Sequence, residues 1–270
     1  MGLFSYAAEL EKNNRSFAFI QIVECHGSTP RHDACMLMDD LGNIMGTIGG
    51  GMMERRVLEQ ATDALAKGES RIFQGRMARR GEGAIGADCG GAMTVHIAVH
   101  AKQPQLVLIG GGHVNRAIAQ LAAHLAFTIS VVDTWQENLT HPQLPAVCSR
   151  LHCETFTQGI NQLALDNNSF VIIATNSSDR EALSQLIHAD VGYLGLLASR
   201  RKVQTLKAAL QENGVSDERI GALRSPIGLD IGAETPAEIA ISVLAEVLLI
   251  KNNAKGKSMN IVDQPQHPSS

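Results

Sequence analysis

Apolar residues divide the chain into two parts that differ in periodicity. Upstream of residue 101, residues 16–25 and 92–100 are rich in Ile, Val and Phe or alternate with polar residues, which is typical of strands. Residues 52–68 place apolar side chains at helical spacing and end in Lys67 and Gly68, a typical helix terminus. These patterns predict a mixed α/β domain over residues 1–101.

From residue 105 onward, continuous apolar runs alternate with helical patterns. Such runs are typical of strands that are buried on both faces. The predicted strands are 106–110, 128–133, 170–175 and 193–199, and the predicted helices are 112–126, 178–188, 200–213 and 235–251. This alternation predicts a doubly wound parallel sheet of the Rossmann type over residues 105–251. Residues 252–270 are polar and are expected to form a disordered tail.

Composition narrows the functional classes. The 270 residues carry a formal net charge of −4, which does not favour nucleic acid or an anionic membrane as a partner. Five cysteines without a Cys-x-x-Cys pair favour free thiols in a reducing compartment. No secretory signal and no apolar run of about 18 residues is found, so we expect a soluble, cytoplasmic protein.

A glycine-rich turn follows the first strand of the second domain. Gly110 could form the tight turn and Gly112 could admit a pyrophosphate at the helix N-terminus, while Asn115 replaces the third glycine of the dinucleotide fingerprint. Asp133 lies 21 residues after Gly112, about where a ribose-binding carboxylate is expected. The pattern predicts a Rossmann-like fold, and either NAD, another phosphate-bearing ligand or no ligand remains open.

Basic residues open another predicted helix of this domain. Ser199 is a suitable N-cap, and Arg200, Arg201 and Lys202 follow it. Cations at a helix N-terminus oppose the helix dipole, which indicates a site that collects an anion. The alternative is a set of solvated side chains paired with acids elsewhere.

Two glycine clusters in the first domain carry further candidates. Cys89 lies in a glycine- and arginine-rich segment, 75–91, that is predicted to be a long loop; its thiol is either reactive or metal-binding, or a small buried hydrophobe. Gly49, Gly50 and Gly51 precede a helix that contains Glu54. These glycines either approach a ligand closely or form a tight turn between helix and sheet.

Seven stretches, in order, resemble the XdhC/CoxI family of molybdenum-enzyme accessory proteins. The similarity extends from about residue 15 to residue 250. The matching stretches are GSTPR (27–31), GTIGGGMME (46–54), CGG (89–91), IGGGHV (109–114), VVD (131–133), GLLASRRK (195–202) and IGAETPAEIAISVLAE (231–246). The family resemblance implies an N-terminal domain with the CGG motif and a C-terminal Rossmann-like domain.

The same resemblance implies a maturation chaperone that is not itself an enzyme. Family members bind the molybdenum cofactor (molybdopterin), a pterin dithiolene that carries molybdenum and a phosphate. They protect it, assist its sulfuration with a cysteine desulfurase and deliver it to a xanthine-dehydrogenase-type apoenzyme, and they are expected to be homodimers. By this resemblance Cys89 is a candidate ligand of molybdenum. The other candidates for cofactor binding are Arg31, Gly49, Gly50, Gly51, Glu54, Gly110, Gly112, Asp133, Arg200 and Arg201.

Two other functions compete with this interpretation. Gly110, Gly112 and Asp133 could serve an NAD(P)-dependent oxidoreductase, although no convincing acid–base pair for hydride transfer is found beside them. Trp135 stands where the family usually carries arginine, which weakens the case for a nicotinamide-dependent step. Alternatively, the chain could be a protein–protein adaptor in which the glycines are purely structural.

Overall fold

The computed structural model describes residues 2–26, 34–76 and 91–258, and it divides into two compact units. We call Met1–Gln103 the N-terminal unit and Pro104–Ser270 the C-terminal unit. Arg31 and Cys89 lie outside the described residues, as do most of the predicted loop and residues 259–270 of the predicted tail.

The N-terminal unit is an antiparallel sheet with helices. Its described elements, in chain order, are α1 (Leu3–Lys12), β1 (Phe17–His26), β2 (Cys35–Asp39), β3 (Ile44–Gly46), α2 (Gly51–Lys67), β4 (Arg71–Arg76) and β5 (Ala92–His100). The strand order is β3-β2-β1-β5-β4. Helix α2 buries Met53, Val57, Ala61 and Ala64, the i, i+4, i+8 and i+11 stripe that its sequence predicts, in the core of this unit. Strand β4 includes residues 75 and 76, so the prediction that the loop begins at residue 75 was wrong.

A buried carboxylate fixes α1 to the β2–β3 hairpin. Asp39 is 1% exposed and accepts hydrogen bonds from the Tyr6 hydroxyl (2.8 Å), the Arg15 guanidinium (2.9 Å) and both the backbone and side-chain amides of Asn43. Burial alone would raise the pKa of Asp39, but the hydrogen bonds, with those from Asn43 and Tyr6 foremost, lower it to about 2. This network therefore stabilises the N-terminal unit only while Asp39 is ionised.

The C-terminal unit is a parallel sheet with helices on both faces. Its described elements are β6 (Gln105–Ile109), α3 (His113–Ala122), β7 (Thr128–Asp133), α4 (Gln136–Leu139), β8 (Ser149–His152), α5 (Phe156–Asn161), β9 (Ser169–Ile173), α6 (Asp179–Leu186), β10 (Tyr193–Leu196), α7 (Arg200–Glu212), α8 (Asp217–Ala222) and α9 (Pro236–Lys251). The order β10-β9-β6-β7-β8, with every strand pair parallel, confirms the predicted Rossmann-like fold.

Strand β6 shows why these strands are apolar throughout. Leu106 and Leu108 belong to a core with α3 and α9 on one face, while Val107 and Ile109 belong to a second core on the other face. All four side chains are fully buried, because successive residues of a strand point to opposite faces and both faces are covered. The centre of this sheet holds its carboxyl edge, where the glycine-rich turn begins, in a fixed position.

Helix α9 begins with the capping box that its sequence predicts. The Thr235 hydroxyl oxygen accepts from the Glu238 amide, and the Glu238 carboxylate accepts from the Thr235 amide at 2.8 Å. Among the described residues, no helix combines the length and the apolarity needed to cross a bilayer.

Candidate functional site

The glycine-rich turn lies at the carboxyl edge of the parallel sheet, between β6 and α3. Gly110 has a φ of 94°, and a Cβ there would lie 2.5 Å from the carbonyl oxygen of Ala174, beyond the end of β9. Both the left-handed conformation and this close approach require glycine. The turn is therefore packed directly against the neighbouring strand.

Two buried side chains of α3 hold this turn from below. The Asn115 amide donates to the carbonyls of Ile109 (3.0 Å) and Gly110 (2.7 Å), and the Arg116 guanidinium donates to the carbonyl of Gly111 (2.8 Å). Asn115 occupies the position of the third glycine in the dinucleotide fingerprint. The fingerprint is incomplete here because a side-chain amide that binds the turn replaces that glycine.

Asp133, at the end of β7, also binds the turn. Its carboxylate accepts from the Gly111 amide (2.5 Å), the Trp135 amide (2.8 Å) and the Asn138 side chain (2.9 Å), and the residue is only 3% exposed. A ribose diol could reach this carboxylate only by displacing these donors. The geometry thus gives Asp133 a role in holding the turn rather than an open carboxylate for a ribose.

Gly112 differs from its two neighbours. Its φ is −68°, which any residue can adopt, and a Cβ built there would have no atom within 4 Å. It is the N-cap of α3 but makes no side-chain cap, so the amides of the first helical turn keep their donor capacity. Nothing in the described structure requires glycine at this position, which leaves space for a ligand.

Gly112 borders a crevice of about 240 Å³ along the carboxyl edge of the sheet. Trp135, the single tryptophan of the chain, contributes to its lining although it is 68% exposed. Polar groups that line the crevice come from the segment after β9 and include Thr175, Asn176, Ser177 and Ser178. Crevices at this edge are where doubly wound folds bind their ligands.

A second crevice of about 410 Å³ shares Ser177 with the first. Its polar lining comes from the first turns of α6 and α7, and comprises Arg180, Ser199, Arg201, Lys202 and Thr205. Small-molecule sites usually measure about 300–1,000 Å³, a range that the two crevices reach together.

The basic cluster that the sequence predicts at α7 separates into different environments. Lys202 pairs with the buried carboxylate of Asp179 at 2.5 Å and also donates to the carbonyl of Asn176. Arg200 and Arg201 form no ion pair with any residue that the structure describes, and only Arg201 lines a crevice. Arg180, which sequence reasoning missed, lines the same crevice.

In the N-terminal unit, the three glycines fold around an internal carboxylate. Gly49, Gly50 and Gly51 have φ values of 117°, 74° and 70°, which are left-handed conformations that favour glycine. One oxygen of Glu54 accepts from the Thr47 hydroxyl and from the amides of Ile48 (3.0 Å) and Gly50 (3.1 Å). Burial would raise the pKa of Glu54, but these hydrogen bonds lower it overall.

The triple glycine thus has a conformational reason, and space beside it as well. A Cβ at Gly50 or Gly51 would have no neighbour within 4 Å. Unlike Gly110, these two positions are glycine because of backbone conformation rather than close packing. Their exposed backbone remains available to a ligand, so both interpretations of the motif stay open.

Cysteines of the described ranges offer no metal centre. Cys148 and Cys153 are each 6% exposed, and burial raises the pKa of both thiols, as expected of small core residues. Within residues 2–26, 34–76 and 91–258, no three His, Cys, Asp or Glu side chains cluster as metal ligands would. The candidate ligand Cys89 stays a prediction from the sequence.

Fold and crevice together define a Rossmann-type small-molecule-binding protein. The XdhC Rossmann domain family matches residues 106–247, which is more than half of the chain, and the XdhC and CoxI family matches residues 10–75. The chain therefore belongs to the XdhC/CoxI family, as its motifs predict.

Curated relatives extend this assignment. "Uncharacterized protein YqeB" of Escherichia coli (strain K12) is 54% identical over 269 residues, covering 100% of this chain and 49% of the relative. A probable xanthine dehydrogenase component of Bacillus subtilis (strain 168) is 29% identical over 54% of this chain and 42% of its own length. This chain thus spans about half of these two relatives, or less.

Two more distant similarities cover nearly the whole chain. "Molybdenum cofactor insertion chaperone PaoD" of Escherichia coli (strain K12) is 22% identical over 92% of this chain and 88% of its own. A crystal structure of a xanthine dehydrogenase from Bacillus halodurans aligns with a TM-score of 0.52 and 17% identity, covering 96% of this chain and 98% of that one. The latter similarity supports the fold alone.

Proposed function

We propose that this protein binds the molybdenum cofactor and helps to insert it into a xanthine-dehydrogenase-type molybdoenzyme. It acts as a maturation chaperone, not as a catalyst. Membership of the XdhC/CoxI family supports this proposal, and so do the names of two relatives, a cofactor insertion chaperone and a probable xanthine dehydrogenase component.

The observation that carries the proposal is the open position of Gly112. A ligand can approach its backbone, since no protein atom lies where a side chain would be and the α3 amides face no cap. An anionic group such as the phosphate of a pterin cofactor suits helix N-terminal amides. The residues present in the C-terminal unit therefore fit the phosphate-bearing part of the cofactor.

Several finer features of the proposal come from the family resemblance. In the N-terminal unit, Cys89 binds molybdenum, while Arg31, the glycines 49–51 and Glu54 contribute to cofactor binding. The protein protects the cofactor during sulfuration by a cysteine desulfurase, forms a homodimer and works in the cytoplasm.

A charge at Gly112 tests the proposal. Gly112→Asp supplies a favoured N-cap and a negative charge at the α3 N-terminus, so it should fold at least as well as the parent protein. Its carboxylate would occupy the place of the ligand anion and repel it. Ser216→Asp is the matched control, because Ser216 is the N-cap of α8 and lines neither crevice.

The measurement is the molybdenum and pterin content of protein purified from a host that makes the cofactor. We expect bound pterin on the parent and on Ser216→Asp, and at least about ten-fold less on Gly112→Asp, the change that a loss of about 1.4 kcal/mol produces. A parent protein without pterin that still binds its client would contradict the proposal and favour the adaptor.

The runner-up is an NAD(P)-dependent oxidoreductase. The turn and strand order of the C-terminal unit favour it, whereas the three hydrogen bonds that Asp133 already accepts count against it. Calorimetry with NAD and NADP separates the two functions. Micromolar binding of either dinucleotide would favour the oxidoreductase.

A further inference from the structure

The second crevice has a net positive lining that the described structure does not neutralise. Arg180 stands between two acids in the first turn of α6, yet both acids have other partners. Asp179 pairs with Lys202, and Glu181 accepts from the amide and hydroxyl of Thr157 (3.0 and 3.2 Å). Arg180 therefore lines the crevice without an ion-pair partner among the described residues.

Arg201 approaches the same crevice from another helix. It is exposed and likewise makes no ion pair with a described residue. Because β9 and β10 are parallel neighbours, the helices that follow them start at the same edge of the sheet, which brings two cations 21 residues apart in sequence to one crevice. Both arginines oppose their helix dipoles, a cost that a bound anion would offset.

Buried contacts fix the frame that carries these arginines. The Asp179 carboxylate accepts from the Thr175 amide (3.0 Å) and hydroxyl (2.6 Å) as well as from Lys202, and so links the end of β9 to α6 and α7. Lys202 thus positions the crevice instead of offering a free charge. Hydroxyl groups of Ser177, Ser199 and Thr205 add donors to the lining.

The first crevice offers a different chemistry at its edge. Trp135 is 68% exposed, unusual for the residue type, and its indole makes no hydrogen bond with a described residue. Its backbone amide, however, is held by Asp133 at 2.8 Å. A fixed backbone with an exposed ring suits the stacking of a flat heterocycle.

We propose that the two crevices form one bipartite site for a planar heterocycle that bears a phosphate. Trp135 stacks on the ring, and Arg180 and Arg201 bind the phosphate through charge-assisted hydrogen bonds, with Ser177 at the junction. This inference rests on the proposed function, whose cofactor is a pterin with a phosphate. It adds Arg180 and Trp135 to the binding residues and removes Arg200.

The single tryptophan of the chain provides the assay. Quenching of the Trp135 fluorescence is titrated with a pterin that carries a phosphate on its side chain, with the same pterin lacking phosphate, with adenosine monophosphate and with inorganic pyrophosphate. We expect the phosphorylated pterin to bind at least about ten-fold more tightly than the unphosphorylated one, the gain that one charge-assisted contact provides. Adenosine monophosphate distinguishes a nucleotide site from a pterin site.

Three arginine variants locate the phosphate. Arg180→Gln and Arg201→Gln should each weaken binding of the phosphorylated pterin about ten-fold, whereas Arg200→Gln, on the same turn of α7 but outside both crevices, should leave it unchanged. Trp135→Leu, followed by calorimetry, should weaken binding of both pterins about ten-fold.

Two results would overturn the inference. One is equal binding of the two pterins, and the other is a loss in Arg200→Gln as large as in Arg201→Gln. The outcome is separable from the proposed function. Purified protein that carries molybdopterin while these variants bind normally would refute only the bipartite site, and binding of adenosine monophosphate but not pterin would keep the site and refute the cofactor.

Discussion

Removing the carboxylate of Asp133 distinguishes a structural role from a ribose-binding role. Asp133→Ala takes the acceptor away from the amides of Gly111 and Trp135 and from the Asn138 side chain. If Asp133 holds the glycine-rich turn, the loss appears in the stability of the C-terminal unit. If it serves only a ribose, the fold should hardly notice.

The expected magnitude follows from these contacts. Hydrogen bonds to a charged acceptor contribute about 1.5–3 kcal/mol each, and an unsatisfied buried amide costs about 1–3 kcal/mol. Of the three donors, the Gly111 amide is in a buried hydrogen bond, and the other two are in partly buried ones that water can replace in part. We therefore expect a loss of about 3–5 kcal/mol in the free energy of unfolding, which lowers Tm by roughly 10 °C in a unit of this size.

Urea denaturation followed by Trp135 fluorescence measures this loss, because the single tryptophan lies in the C-terminal unit. Asp190→Ala is the control, since Asp190 is exposed and makes no side-chain contact that the described structure records; it should change stability by under about 0.5 kcal/mol. A loss below about 1 kcal/mol in Asp133→Ala, together with weakened NAD binding, would refute the structural role.

Three further variants test other parts of the account. The depressed pKa of Asp39, about 2, means that its stabilisation is complete above its unfolded pKa near 4 and lost as the pH falls through 2, so acid denaturation of Asp39→Ala should lack a contribution of about 2 kcal/mol that the parent shows. Gly50→Ala should cost about 1–2 kcal/mol in thermal unfolding because of its φ of 74°, whereas Gly221→Ala within α8 should stabilise; equal effects would contradict the conformational argument. Cys89→Ser should lower the molybdenum content of purified protein while Cys35→Ser should not, and equal metal content in both would exclude Cys89 as a ligand.

Periodicity predicted most of the fold, and it failed at edge and short elements. The central strand β6 is buried on both faces and reads as a continuous apolar run, so its position was evident. By contrast, β8 has the sequence SRLH with three exposed residues, and β4 alternates exposed with half-buried positions. Both lie at sheet edges, where few side chains are covered and the hydrophobic signal is weak.

The site was harder to predict than the fold because its key contacts are long-range. Spacing located Asp133, but not the amide of Gly111 that it binds 22 residues earlier. Arg180 lies in a polar stretch that resembles an ordinary helix start, and only the parallel pairing of β9 with β10 brings it near Arg201. A basic residue after each of two neighbouring parallel strands was the available signal.

The most direct test of the account is a crystal structure of the protein purified with its bound molybdenum cofactor. The account predicts density for the pterin and its phosphate along the carboxyl edge of the C-terminal sheet, with the phosphate within hydrogen-bonding distance of Arg201 and the cofactor passing Gly112. A cofactor bound wholly within residues 1–103, with both crevices of the C-terminal unit empty, would contradict it.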